Sequence, residues 1–197
     1  MTAVHVAGLV LAGGKARRFG GGDKPLMQLG GSAMLGRVVE ALRHDLQDIA
    51  ISANGDPARF AGFGLPVLAD GPFEGEGPLA GVLAGLGWAS ERGASALLTV
   101  PGDTPLVPRG LAATLTPAPA CASTNHRPHY LVALWPVTAR EPLRRLLASS
   151  GRRDVAHFAR LIGMRRVEFP VTKWDPFLNI NTPADLAAAR AIVEGKA

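Results

Sequence analysis

Gly8-Leu-Val-Leu-Ala12 is a short apolar run that breaks into Gly13-Gly14, and the chain continues as Lys15-Ala-Arg-Arg-Phe-Gly-Gly-Gly-Asp-Lys-Pro25. An apolar run of this length, bounded by glycines, reads as a buried strand entering a loop. Lys15, Arg17, Arg18 and Lys24 accompany the loop glycines. Glycine permits positive φ and close backbone approach, so the N–H groups of such a loop can wrap an anion or a base edge. Open α/β sheets bind ligands at the carboxyl ends of their strands. The composition therefore suits a triphosphate, and the competing reading is a surface turn with incidental basic residues. Two phosphate-loop templates do not fit. Five places on from Gly13 and Gly14 stand Arg18 and Phe19, where the Walker pattern needs glycine. From Gly20 and Gly22, the third glycine of G-x-G-x-x-G falls on Pro25.

Outward from this loop, strand and helix signals alternate. Met34, Leu35, Val38, Val39, Leu42 and Leu46 recur at helical spacing and predict a helix over Ser32–Leu46. Ile49–Ser52 and Leu65–Asp70 read as strands, and Pro78–Trp88 as a helix with proline in its first turn. Gly81 and Gly85 share one face of that helix and would let a sheet approach closely. Ala96-Leu-Leu-Thr-Val100 is apolar but for Thr99, reads as a strand buried on both faces, and runs into Pro101-Gly-Asp-Thr-Pro105. Beyond Pro117 the pattern loosens: strands over Cys121–Thr124, Tyr130–Leu134 and Arg166–Phe169, and helices over Thr138–Ser149 and Arg153–Leu161. A last helix opens at Thr182, with Pro183 at its first position and Asp185 in its first turn. The expectation is an α/β fold with a mostly parallel sheet in one domain spanning residues 1–197.

Composition narrows the classes. The 197 residues are 47% apolar and 19% charged, the opposite of a disordered chain. The 24 glycines have no three-residue period, which excludes collagen. The net charge of +5 invites an anionic partner, yet the arginines come in pairs (17–18, 144–145, 152–153, 165–166) and aromatics are only 6%, without the interleaving that base stacking needs. Nucleic acid is therefore not expected. Cys121 is alone, so neither an internal disulfide nor a cysteine-based metal cluster forms. No apolar run reaches the roughly 18 residues of a membrane span. The N-terminus lacks the pattern of a secretory signal, so the expected location is cytoplasmic.

Three features besides the loop can carry chemistry. Asp103 follows the buried strand directly, and one carboxylate plus substrate phosphates is a usual way to hold Mg²⁺; otherwise it opens a turn. Asp70, ending an earlier strand, has the same two readings. Asn179-Ile-Asn-Thr-Pro183 offers amides to ribose, phosphate or a hydrated metal, or is an Asx turn leading into a helix cap. The five histidines show no metal-ligand spacing, and Cys121 reads as a core residue.

Taken together these segments resemble a known family. The run Leu11-Ala-Gly-Gly-x-x-x-Arg18-x-Gly20-x-x-Asp23-Lys24 looks like the signature of nucleotidyltransferases that activate sugars, alditols or molybdopterin with an NTP. With Lys15-Ala-Arg-Arg, Gly77-Pro-Leu-Ala-Gly81, Asp103-Thr-Pro105, Gly151-Arg-Arg153 and Asn179-x-Asn-Thr-Pro183, it is similar to the molybdenum cofactor guanylyltransferases, the MobA-like branch. The resemblance spans nearly the whole chain, in order. It implies a three-layer, Rossmann-like fold, nucleotide-binding in its N-terminal half and pterin-binding in its C-terminal half. It implies a Mg²⁺-dependent reaction of GTP with Mo-molybdopterin that yields molybdopterin guanine dinucleotide and pyrophosphate. It also implies transient contact with the molybdopterin-metal insertion protein and with apo-molybdoenzymes. Carried over by position, Leu11, Ala12, Gly13 and Gly14 would hold guanine and ribose, Lys24 and Arg18 the triphosphate, Asp70 the nucleoside and Asp103 the metal. Arg152, Arg153, Asn179 and Asn181 are the candidates for the pterin side. In Ile51-Ser-Ala-Asn54 the family often has asparagine where this chain has Ser52. Either Asn54 compensates or the nucleoside contact is weaker, which keeps a CTP-dependent molybdopterin cytidylyltransferase, or another MobA-like nucleotidyltransferase, open as the alternative. Eight glycines between Gly8 and Gly31 are expected to surround this one site.

Overall fold

In the computed structural model, residues 5–13 and 23–195 are described. In chain order they form β1 (Val6–Leu11), the short β2 (Gln28–Leu29) and β3 (Ser32–Ala33), α1 (Met34–Arg43), β4 (Ile49–Ser52), β5 (Val67–Leu68), α2 (Pro78–Glu91) and β6 (Ala96–Pro101). There follow α3 (Leu111–Leu115), β7 (Ala120–Thr124), β8 (Arg127–Pro136), α4 (Arg140–Ala148), α5 (Val155–Leu161), β9 (Arg165–Glu168) and α6 (Pro183–Val193). Seven strands make one sheet in the order β5-β4-β1-β6-β8-β7-β9. β5, β4, β1 and β6 pair in parallel, β8 lies antiparallel to both β6 and β7, and β7 is parallel to β9. Every strand of this sheet except β8 therefore runs the same way, and the expected mostly parallel sheet is what forms.

The period-two alternation of β1 builds the layers. Val6 and Val10 point into a core with Leu35, Val38 and Leu42 of α1 and Leu111 and Leu115 of α3. Ala7 and Leu9 point to the other face, into a core with Leu79, Val82 and Leu86 of α2, Leu143 and Leu147 of α4, and Phe158 of α5. Leu9 and Val10 are both fully buried, which is why the run had to be apolar throughout. A third, small core packs Leu29 and Met34 against Ile180 and Ala189 of α6. The result is the expected three-layer arrangement.

Gly85 shows why α2 carries glycine on its sheet-facing side. A Cβ there would lie 2.5 Å from Leu9 Cδ2 and 2.9 Å from Leu97 Cδ2. The helix thus rests almost directly on the strands. Cys121 is fully buried in β7, and burial pushes its thiol up to about 11, the behaviour of a packing residue rather than a nucleophile.

Several boundaries differ from expectation. Ser32 and Ala33 pair with β2 instead of opening α1, and Leu46 lies beyond the helix. β5 keeps only Val67 and Leu68 of the expected Leu65–Asp70. The β2–β3 hairpin, α3 and four 3₁₀ segments were not anticipated, because short elements show too few periods to register. Of the glycines assigned to one site, Gly8 lies within β1 against Leu46 and Ile49. Gly30 and Gly31, with φ of +58° and +81°, make the hairpin turn beneath α6. Those three serve packing and turning, not the site.

Candidate active site

β1 feeds α1, β4 and then β5 on one side, whereas β6 lies on the other side of β1. Loops leaving adjacent strands in opposite directions open a crevice at the carboxyl edge of a parallel sheet. A cleft of about 580 Å³ lies there. Its walls come from Leu11–Gly13 after β1, Ser52–Asn54 after β4, Asp70 after β5, Pro101 and Asp103 after β6, Leu131 of β8, and Asn179. The segments after β1, β4, β5 and β6 thus meet, though far apart in sequence, because each follows a strand that ends on the same edge, and Asn179 joins them from the C-terminal segment.

Lys24 ties three of these segments together. Its side chain is only 9% exposed. Nζ donates to Asp103 Oδ2 and to Asn181 Oδ1, the latter at 2.8 Å. A buried ammonium is costly unless paired and hydrogen-bonded, and here it has a carboxylate and an amide oxygen. The C-terminal segment is fastened to the same loop twice more. Thr104 Oγ1 donates to Asn179 Oδ1 at 2.7 Å, and the Ile180 N–H to the Asp103 carbonyl at 2.9 Å. Behind it, Thr182 and Asp185 close a capping box. The Asn181 and Thr182 N–H groups both donate to Asp185 Oδ2 at 2.8 Å, and the first of these bonds is the main cause that holds that carboxyl below its ordinary range. The Asn-x-Asn-Thr-Pro run is therefore both a cap and a wall of the cleft.

On the opposite wall, Asn54 and Asp70 bind each other reciprocally. Asn54 Nδ2 donates to Asp70 Oδ2 at 2.7 Å, and the Asp70 N–H donates to Asn54 Oδ1 at 2.9 Å. This pair fixes the orientation of the Asn54 amide. Burial raises the Asp70 pKa above its ordinary value, against the opposing effect of the Asn54 hydrogen bond. Ser52 lies behind, 4% exposed, where a Cβ on Gly81 would collide with its hydroxyl. The sheet-facing glycines expected in α2 thus have two jobs: Gly85 seats the helix on the core, and Gly81 leaves room beside Ser52.

Of the candidates from sequence, Leu11, Ala12, Gly13, Lys24, Ser52, Asn54, Asp70, Asp103 and Asn179 line the cleft, and Asn181 joins it through Lys24. Gly14 and Arg18, with Lys15 and Arg17, lie outside the described residues. Arg153 pairs with Glu76 at 2.7 Å, and Glu76 sits between the cleft-lining Gly75 and Gly77. Arg152 pairs with its neighbour Asp154, and its side chain is 69% exposed. Neither arginine lines the cleft. Arg59 does, and nothing in the sequence singled it out, since it stands in an irregular 3₁₀ stretch, Pro57–Phe63, with no period or motif. Thr104, which orients Asn179, stands within the Asp103-Thr-Pro105 landmark, where nothing in the sequence shows which way its side chain points.

Known proteins are similar to this chain in sequence and fold. The family model for the MobA-like NTP transferase domain matches residues 8–163. A protein named molybdenum cofactor guanylyltransferase from Acidiphilium cryptum is 52% identical over 187 residues, which cover 95% of each chain. A protein of the same name from Cereibacter sphaeroides is 48% identical, covering 96% of this chain and 98% of that one. Among solved structures, molybdopterin-guanine dinucleotide biosynthesis protein A from Archaeoglobus fulgidus superposes with a TM-score of 0.72 at 23% identity, over 96% of this chain and 99% of that one. A 4-diphosphocytidyl-2C-methyl-D-erythritol synthase from Anaerococcus prevotii shares the fold, with a TM-score of 0.73 at 12% identity and 96% of each chain covered. The match of the family model over most of the chain and the identity to these relatives leave one conclusion: the chain belongs to the MobA-like NTP transferase family.

Proposed function

We propose that this nucleotidyltransferase transfers GMP from GTP to Mo-molybdopterin, giving molybdopterin guanine dinucleotide and pyrophosphate. The observation that carries the reading is Lys24, whose one ammonium joins the signature loop, Asp103 after β6 and Asn181 of the C-terminal segment at the edge of a single cleft. The curated relatives of that name, matched end to end, support it. The N-terminal half takes the nucleotide and the C-terminal half the pterin.

In this reading the backbone of Leu11, Ala12, Gly13 and Gly14 meets guanine and ribose, with Ser52, Asn54 and Asp70 on the nucleoside side. Lys24 and Arg18 hold the triphosphate. Asn179 and Asn181, with Arg152 and Arg153 at the rim, meet the pterin. The terminal phosphate of the pterin attacks the α-phosphorus of GTP in line, and pyrophosphate leaves. Positioning and charge neutralisation carry such a step, so no covalent protein nucleophile is needed.

Mg²⁺ fits the donors present. Among the described residues no three His, Cys, Asp or Glu side chains group to hold a metal by themselves, while Asp103 lines the cleft as a single carboxylate. One carboxylate completed by substrate phosphates is a common Mg²⁺ site. Bound there, the ion would neutralise charge on the phosphate oxygens. Lys24, already on Asp103 Oδ2, would orient that carboxylate.

No helix among the described residues is long and apolar enough to cross a membrane. We place the protein in the cytoplasm, passing its product to apo-molybdoenzymes after transient contact with the molybdopterin-metal insertion protein, and we assign it no nucleic-acid or membrane partner. The deciding assay is pyrophosphate release with Mo-molybdopterin, Mg²⁺ and each of the four NTPs. Release with GTP alone is expected. Preference for CTP would make the chain a cytidylyltransferase, and no release with any NTP would overturn the assignment.

A further inference from the structure

We infer that Arg59 is a positioning residue of the nucleotide side, whose task is to cancel and hold the Asp23 carboxylate next to the triphosphate subsite. The inference rests on the cleft being a nucleotide site. Four acidic side chains line its described walls (Asp23, Asp70, Glu74 and Asp103), against only Lys24 and Arg59 as bases. Lys24 is engaged by Asp103. Asp23 is the chain neighbour of Lys24, so an uncompensated charge there would repel the polyphosphate that Lys24 is proposed to hold.

Arg59 is built to prevent this. Nη1 donates to Asp23 Oδ1 at 2.5 Å, and Nη2 to the Asn54 carbonyl at 2.6 Å. The guanidinium lies over the Phe60 ring, 4.7 Å from its centre. Phe60 is itself fully buried, so the stacking surface is fixed. Phe60 is thus a rigid floor, and the planar fork reaches two partners at once, which a lysine ammonium on a flexible stem does less well. Through these bonds Arg59 links the two nucleotide-side elements: Asp23 beside Lys24, and Asn54 beside Asp70. The pair is partly exposed, at 29% and 26%, so its worth lies in the charge it hides from an incoming anion more than in fold stability.

The test pairs GTP binding by calorimetry with steady-state kinetics on the wild type and on Arg59→Met, Arg59→Lys, Asp23→Asn and the double variant R59M/D23N. In Arg59→Met the Kd and KM for GTP should rise about tenfold while kcat changes little, because the bared Asp23 opposes binding. Arg59→Lys should recover part of the loss. The double variant should bind GTP better than Arg59→Met alone, since the offending charge has gone with its mask. That rescue is the readout a merely structural role would not give. If R59M binds GTP like wild type, or if D23N worsens the R59M defect, the inference falls. If Arg59→Met melts too low to assay, the comparison is made with Arg59→Gln, which keeps a donor. Failure of the wild type to bind GTP at all would instead sink the nucleotide reading on which the inference stands.

Discussion

The two walls of the cleft are built on different plans. The wall formed by the ends of β1, β4 and β5 is organised by its own polar contacts: the Asn54 side chain with the Asp70 carboxylate and backbone N–H, and Arg59 with Asp23. The wall formed by the C-terminal segment has no strand behind it. Asn179 and Asn181 are held by Thr104 and Lys24, residues from the other half of the chain. The first wall is placed by the ends of parallel strands; the second is placed by its bonds to Asp103, Thr104 and Lys24 and, from behind, by the capping box of α6. Lys24 is therefore structural and chemical at once, and a change at Lys24 should disturb both walls while a change on either wall stays local.

The sharpest test of that contrast is Asp103, which follows β6 and binds both Lys24 and, through its carbonyl, the C-terminal segment. Asp103→Asn keeps an acceptor for Lys24 but removes the charge; turnover should drop by about 10³-fold with the melting temperature nearly unchanged. Full activity would remove Asp103 from the chemistry. Lys24→Met comes next. It leaves the Asp103 and Asn181 oxygens without their donor, so it should lower kcat about 10²-fold, raise the KM for GTP and lower the Tm together. A kinetic defect without any loss of Tm would mean that the second wall does not depend on Lys24.

A pair of glycine variants separates site from core within one helix. Gly81→Ala, which drives a methyl against Ser52, should raise the KM for GTP. Gly85→Ala, which meets Leu9 and Leu97, should cost about 1–3 kcal/mol of stability and leave the KM alone. Equal effects on KM would break the assignment of Ser52 to the nucleotide wall. On the other wall Asn181→Ala, and outside the cleft, to a smaller degree, Arg153→Ala and Arg152→Ala, should raise the KM for Mo-molybdopterin by several-fold without moving that for GTP. A larger effect on GTP would reverse the two walls.

The smallest expected effect is on pH dependence. Burial raises the Asp70 pKa, so the folded state holds this proton more tightly than the unfolded chain does. The stability gained from Asp70 is full below the ordinary carboxylate pKa near 3.8 and is lost as pH rises through the raised folded value. Asp70→Asn should therefore flatten the fall of Tm with rising pH just above that point, measured by calorimetry at matched ionic strength. An unchanged slope would show that Asp70 is not the group responsible.

Much of this was legible in order but not in space. The apolar runs of β1, β4 and β6 and the period of α1 announce a parallel sheet, since a strand buried on both faces is largely apolar and admits a residue such as Thr99 only because it is hydrogen-bonded there. Asp103 and Asp70 stand at strand ends and were visible for that reason. Arg59 and Thr104 were not, because an irregular turn has no period to reveal which way its side chains point. Gly30 and Gly31 were misplaced for the converse reason: a glycine reports a backbone need without saying whether a ligand or a turn creates it.

What the sequence by itself determined is the list of parts: a glycine-rich loop after a buried strand, acids at strand ends, and a capped helix behind two asparagines. Those follow from local rules of burial, φ and capping, which act over a few residues. What only the tertiary structure decided is which parts share a charge. Lys24 meets Asp103 and Asn181 across 79 and 157 residues of chain, and Arg59 meets Asp23 across 36. Strand order and crossover direction set those meetings, and a local pattern carries no information about either, because the pairing energy comes from the whole sheet.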